Sequence, residues 1–402
     1  MKRTPVSRRQ VLGAVAAGVA GLSSPMISLG RYAPLAGSPR KYSARTLELV
    51  DASRNVDLKH ALTLHPTVLK AWLTQPDAFG AEERALFRST KLKFMQTTLE
   101  TVPDTLLDFA WHNGFVASHG DLFYRVNGSA DLTRAADETR IGIIFGCENS
   151  EHFGTLDDVD RYYALGQRVS QLTYNSQNRL GSGSTDRVDG GLSDYGVAIV
   201  ERMNKVGMAV DLSHCGPRTT LDAIAASRLP VLFTHATCRA LNLSHPRTKS
   251  DEAIRKLAAG GGVMGIAFLR VFARDREPTT IEHVLDHFDH VARLVGVEHL
   301  AIGSDIGPYG YDSLPRELVA ASKANLKPGS YAFREKDDVE GLNHPARLYD
   351  LVEGLVRRKY PDRDIVAILG GNAVRVLGAG MAVTPCAAGR SMKRWMSAAS
   401  SV

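Results

Sequence analysis

The sequence predicts a (β/α)8 barrel on three observations. Eight short apolar runs recur along the 402 residues, each followed by a stretch of helical periodicity. The helical stretches open on capping residues, and most close on glycine. Several runs also end in a polar, metal-capable residue, as expected where barrel chemistry sits at the C-terminal ends of the strands.

The runs, in order, are LELVDA at 47–52, KLKFMQTTLE at 91–100, RIGIIFGCE at 140–148, VSQLTYN at 169–175, MAVDLSH at 208–214, PVLFTHA at 230–236, GVMGIAF at 262–268 and HLAIGSD at 299–305. Their ends present Glu148, Tyr174, His214, His235 and Asp305. Amphipathic helices are expected over 192–207, 219–228, 250–261 and 279–296, each opening near a Ser or Thr suited to an N-cap. Regular strand–helix spacing of this kind implies right-handed parallel crossovers. Residues 306–343 form a long polar insertion after the eighth run, placed to cover the barrel mouth. Two more helices follow, over 344–360 and 362–378.

The domain plan is therefore a leader and linker over 1–40, one catalytic barrel over 41–378, and a flexible tail over 379–402. The leader reads as an export signal. A basic stretch, MKRTPVSRRQ, precedes the twelve apolar residues VLGAVAAGVAGL at 11–22, too short to span a membrane as a stable helix. The paired Arg8 and Arg9 resemble a twin-arginine signal, so the export machinery of that route is an expected partner and the periplasm or cell exterior the expected location. The nearest approximations to a cleavage site are Ser28–Gly30 and Pro34–Ala36, which leaves an uncleaved membrane anchor open. Without the four basic residues of the first nine, net charge drops from +6 to +2. Such a near-neutral body gives no basic stripe for nucleic acid. The four cysteines do not form a disulfide framework. Cys147, Cys215 and Cys238 adjoin the strand ends and read first as small buried residues, with a thiolate ligand or a disulfide as the alternatives.

Two histidines and a glutamate, completed by water, form a catalytic zinc ligand set. Glu148, His214 and His235 at three strand ends offer that set. Asp305 is placed to move a proton between water and a leaving group. Arg247 can clamp a substrate carboxylate, and Tyr174 can donate to a developing oxyanion. A rival cluster, His283, His287 and His290, lies on the helix of 281–291, opposite Ile281, Val284, Leu285, Phe288 and Val291, and is expected to face solvent. The Gly-rich run GSGSTDRVDGG at 181–191 opens no helix directly and reads as a flexible loop.

Several long segments resemble the membrane (renal) dipeptidase family of zinc peptidases. They are VSQLTYNSQN from 169, GGLSDYGVAIVERMNKVGMAVDLSHC from 190, THATCRAL from 234, HPRTKSDE from 245, GGGVMGIAF from 260, DHFDHV from 286, IGSD from 302 and LGGNAVRVLG from 369. The resemblance implies a (β/α)8 barrel with two zinc ions at the strand ends and cleavage of dipeptides or related amides. By motif, Glu148 corresponds to the carboxylate bridging both metals, and His214 and His235 to the second metal's histidines. Asp305 matches the acid/base and Arg247 the carboxylate anchor, while Tyr174 stands where the family usually has a substrate-contacting histidine. The family's first metal uses a His-x-Asp pair, in a motif like D-G-H-N-D, just after strand one. Reading that motif onto DASRNVD at 51–57 puts Ser53 and Asn55 at the ligand positions, neither a good zinc ligand, with Asp51 or Asp57 two residues out of register.

The expectation is thus a dipeptidase-like hydrolase carrying one zinc per chain, acting on a dipeptide or other small molecule, with a homodimer left open. Two alternatives stand beside it. One is a catalytically weak barrel that binds a small peptide or metabolite, and the other is a mononuclear hydrolase of another bond.

Overall fold

In the computed structural model, residues 32–34, 41–99, 104–134, 139–324 and 335–382 are described. The stretch expected to be an export signal, residues 1–22, Cys386 and the tail beyond 382 lie outside them. The chain divides at Arg45 into two units. In the first, Tyr32–Pro34 pairs antiparallel with Lys41–Ser43.

The second unit holds the barrel. Its eight strands are β1 (Val56–Asp57), β2 (Phe94–Leu99), β3 (Ile141–Cys147), β4 (Gln167–Gln171), β5 (Ala209–Asp211), β6 (Leu232–Ala236), β7 (Val263–Ile266) and β8 (Leu300–Ile302). Every pairing is parallel, and the ring closes where Asp57 of β1 meets Ile302 of β8. The predicted (β/α)8 fold is the observed one. A further short strand, Phe123–Arg125, adds parallel to the start of β3. Phe123 there joins Phe79 and Phe87 in a cluster of aromatic rings 5.2 to 5.8 Å apart.

One of the eight runs is not a strand. Residues Ala44–Ala52 form a helix that buries Thr46, Leu49 and Val50 at helical spacing. The Ser53 hydroxyl donates back to the Leu49 carbonyl, and the Asn55 amide donates to the Val50 and Lys91 carbonyls. The true first strand is the short Val56–Asp57 that follows.

Helices fill the connections as expected. Ser193 caps Asp194–Val206 by accepting from Gly196 N–H, and Ser250 caps Asp251–Ala259 by accepting from Ala253 N–H. The helix predicted from Thr219 starts earlier, at Pro217, with Gly216 as its cap. The final helical stretch, Asp362–Met381, is long and apolar enough to cross a membrane, but over half of it is buried in the protein. Its Ala373, Val376, Leu377 and Met381 pack with Val56, Phe94, Ile144, Leu232 and Val263 in the barrel core, beneath the strands' C-terminal ends. Gly265 and Gly303 let β7 and β8 pass close to the Thr234 carbonyl, where any Cβ would collide.

The insertion after β8 is fastened by two aspartates. Asp338 accepts from Tyr311 and Asp312 N–H at 3.0 and 2.7 Å, and Asp312 accepts from Asp337 N–H at 2.9 Å. Tyr311 itself packs against the buried group of Ala267, Leu269, Phe272 and Ile306.

Candidate metal centre

The residues expected at the strand ends do converge. Glu148 follows β3 directly, His235 lies within β6, and His214 stands three residues past β5. The ligand-capable atoms of these three lie within 4.8 Å of one another. Glu148 Oε1 is 3.5 Å from His214 Nε2 and 3.2 Å from His235 Nε2, and the two Nε2 atoms are 2.9 Å apart.

The outer ring nitrogens fix the tautomers. His214 Nδ1 donates to Asn175 Oδ1 at 2.8 Å. Thr234 Oγ1 spends its one proton on Asp211 Oδ2 at 2.7 Å, so its 2.8 Å contact with His235 Nδ1 has the ring N–H donating. Both Nε2 atoms therefore turn bare lone pairs toward the same point as a carboxylate oxygen. Burial, then the charge of Arg247, holds His214 well below its usual value, so the ring is neutral near pH 7. Burial alone would raise the Glu148 carboxyl, but the charge of Lys59, 3.3 Å from Oε2, holds it well below its usual range. Three acceptors facing one another without a shared proton donor repel, and the set fits a divalent cation.

Two buried aspartates, neither picked out as a scaffold residue by the sequence reading, organise the halves of the site. Asp211 ends β5 and accepts from Ser213 N–H, Ser213 Oγ and Thr234 N–H, which locks β5 to β6 under both histidines. Asp57 ends β1 and accepts from Lys59 N–H, Ser304 N–H and the Ser304 hydroxyl, which locks β1 to β8 under Asp305. Lys249, fully buried, donates to the Leu212 and Cys215 carbonyls and to Thr220 Oγ1, holding the His214 loop from behind.

Asp305 has a left-handed backbone, φ 62°, which is strained for a residue with a Cβ. Its N–H donates to the Lys59 carbonyl at 2.9 Å. Tyr174 lies on the rim, with its ring stacked 4.2 Å from that of His214. Arg247 is buried beside the histidines, with Nη1 donating to Ser213 O at 2.5 Å and Nη2 to His235 O at 3.5 Å. Tyr311 of the insertion reaches the acidic side of the site; burial, then the charges of Asp305 and Glu148, raises its phenol far above the usual value.

The first-metal register needs correcting. With β1 at Val56–Asp57, the stretch just after strand one is Leu58–Ala61. Asp57 then matches the leading aspartate of D-G-H-N-D, and Lys59 and Ala61, rather than Ser53 and Asn55, fall at the His-x-Asp positions. Asp51 is exposed and paired with Lys91 at 3.0 Å, and Asp57 is committed to its neighbours, so neither substitutes. Lys59 Nζ instead lies 3.3 Å from Glu148 Oε2, 2.8 Å from Thr98 Oγ1 and 4.0 Å from Asp305 Oδ1.

The rival clusters dissolve. His287 is fully buried rather than solvent-facing, with Nδ1 accepting from Cys238 N–H and Nε2 donating to Ala273 O, while His290 pairs with Asp251. Cys147, Cys215 and Cys238 are buried thiols outside any disulfide, and burial raises the pKa of Cys215 and Cys238. The Gly-rich segment is well anchored, since Ser184 N–H donates to His214 O and Ser182 N–H donates to Thr219 Oγ1.

Residues 79–326 match the membrane dipeptidase family, peptidase family M19. The chain belongs to that family. Its similarity to dipeptidase verJ of Clonostachys rogersoniana is 34% identity over 266 residues, covering 64% of this chain and 61% of the relative. Across four such relatives, the match spans only 51 to 66% of their length. Among solved structures, an amidohydrolase of Pseudomonas aeruginosa superposes with a TM-score of 0.72 at 26% identity, over 84% of this chain and 99% of that one. A metallopeptidase of Rhodobacter sphaeroides, solved with a phosphinate mimic of the dipeptide L-Ala-D-Ala, shares the fold with a TM-score of 0.63 at 16% identity, covering 82% and 99% of the two chains. The family match begins after Lys59, so it leaves the altered first-strand motif outside.

Proposed function

We propose that this chain is an exported, dipeptidase-like hydrolase that cleaves a dipeptide or small amide with a single zinc held by Glu148, His214 and His235. The observation that carries this is the pair of preset imidazole lone pairs, converging with Glu148 Oε1 on one point. When bound, zinc supplies Lewis acidity and brings the pKa of a water down to about 7. Asp305, on its φ 62° backbone with Oδ1 4.0 Å from Lys59 Nζ, takes a proton from the attacking water and hands it to the leaving nitrogen. Arg247 anchors the substrate's carboxylate, and the Tyr174 hydroxyl serves as a hydrogen-bond donor at the rim. The relatives named dipeptidase support the amide bond as the target. The leader of residues 1–22 supports delivery to the periplasm or beyond.

The test loads zinc-stripped protein and follows amino-acid release from a dipeptide panel. Metal-dependent release, largely lost in Asp305→Asn with zinc still bound, is expected. A second reading, a weak catalyst that binds a small peptide, is favoured by Lys59 standing at a family ligand position. Tight peptide binding without turnover in the loaded protein selects it over the first.

A further inference from the structure

Glu148 is engaged on both of its oxygens. Oε1 faces the histidines at 3.2 and 3.5 Å, while Oε2 faces the Lys59 ammonium at 3.3 Å. That ammonium also lies 4.0 Å from Asp305 Oδ1, so it sits between the site's two acidic groups. Its placement is built in. The residue is 8% exposed, its N–H donates to Asp57 Oδ1 at 3.2 Å, and its carbonyl accepts from Asp305 N–H at 2.9 Å. The same loop offers no replacement ligand, because Ala61 has no donor and the His60 ring packs toward Phe87, with centroids 6.4 Å apart.

We propose that Lys59 is the second positive charge of this centre, standing on the outer oxygen of Glu148, Oε2, and limiting the chain to one divalent ion. The inference rests on the metal-centre reading above. A divalent ion in contact with Oε2 would have to share that space with a fixed ammonium, and like charges so close in a half-buried site repel strongly. Lys59 thus provides a cation that cannot dissociate, beside the carboxylate that faces the exchangeable metal and beside Asp305. It acts as a positioning residue, fixing the outer oxygen of Glu148 and supplying charge without Lewis acidity.

The test is zinc stoichiometry by equilibrium dialysis and elemental analysis on the stripped full chain. Wild type is expected to bind one ion, and Lys59→His/Ala61→Asp, which restores a His-x-Asp pair, is expected to bind two. Two ions in wild type overturn the inference while leaving the metal centre standing. No ion in wild type overturns the centre itself, and the inference with it. One ion in the folded double variant also overturns the role of Lys59. If that variant fails to fold, Lys59→Glu makes the same comparison with a single change: two ions support the inference and one overturns it.

Discussion

Asp211 grips Thr234 twice, accepting from its backbone N–H at 2.9 Å and its hydroxyl at 2.7 Å. Because the hydroxyl's proton is spent on Asp211, Thr234 can only accept from His235, and that fixes which nitrogen of His235 points into the site. Asp211→Asn or Thr234→Val therefore removes the tautomer control while leaving all three candidate ligands in place. Zinc affinity should fall by about 10- to 100-fold, the usual cost of losing such an outer partner. Unchanged affinity in a competition titration contradicts the tautomer argument.

Arg247 holds the backbone carbonyls of Ser213 and His235 and is also the proposed carboxylate anchor. Arg247→Lys keeps the charge but loses the fork-shaped donor set. The expected result is a KM raised by about tenfold or more, roughly one lost charge-assisted contact, for dipeptides with a free carboxylate. Substrates amidated at that end should be much less affected. An equal loss for both would mean that Arg247 is structural only.

Most of the candidate site was legible because barrel chemistry collects at strand ends: Glu148, His214, His235 and Asp305 each stand at the end of an apolar run, and the first three converge. The first strand was not legible. Val56–Asp57 is two residues long, while the more apolar LELVDA before it alternates enough to pass for a strand and actually forms a helix. That slip shifted the register and hid Lys59. His287 was misplaced for a related reason: a histidine satisfied by Cys238 N–H and Ala273 O can be buried on a face that reads as polar.

His287 gives a pH prediction. Burial pulls its pKa down to about 4, despite the helpful hydrogen bond to Ala273 O, from an ordinary value of 6.5. A lowered histidine pKa means the unfolded chain takes up the proton first, so stability is full above about pH 6.5 and falls as pH drops toward 4. In His287→Gln the urea midpoint should depend less steeply on pH across that window, even if it starts lower. An unaltered slope would show that the ring does not titrate on unfolding.

The leader gives a prediction in cells. Arg8→Lys/Arg9→Lys should leave the protein in the cytoplasm while the parent is exported. Equal export of both would remove the twin-arginine assignment without touching the barrel.

The central claim, a metal centre on Glu148, His214 and His235, is tested most directly by elemental analysis of metal bound per folded chain, in the parent and in His214→Ala. The account predicts about one zinc in the parent and its loss in a variant that remains folded. A folded parent that never met a chelator and holds no metal, or a His214→Ala variant that keeps its zinc, would contradict it.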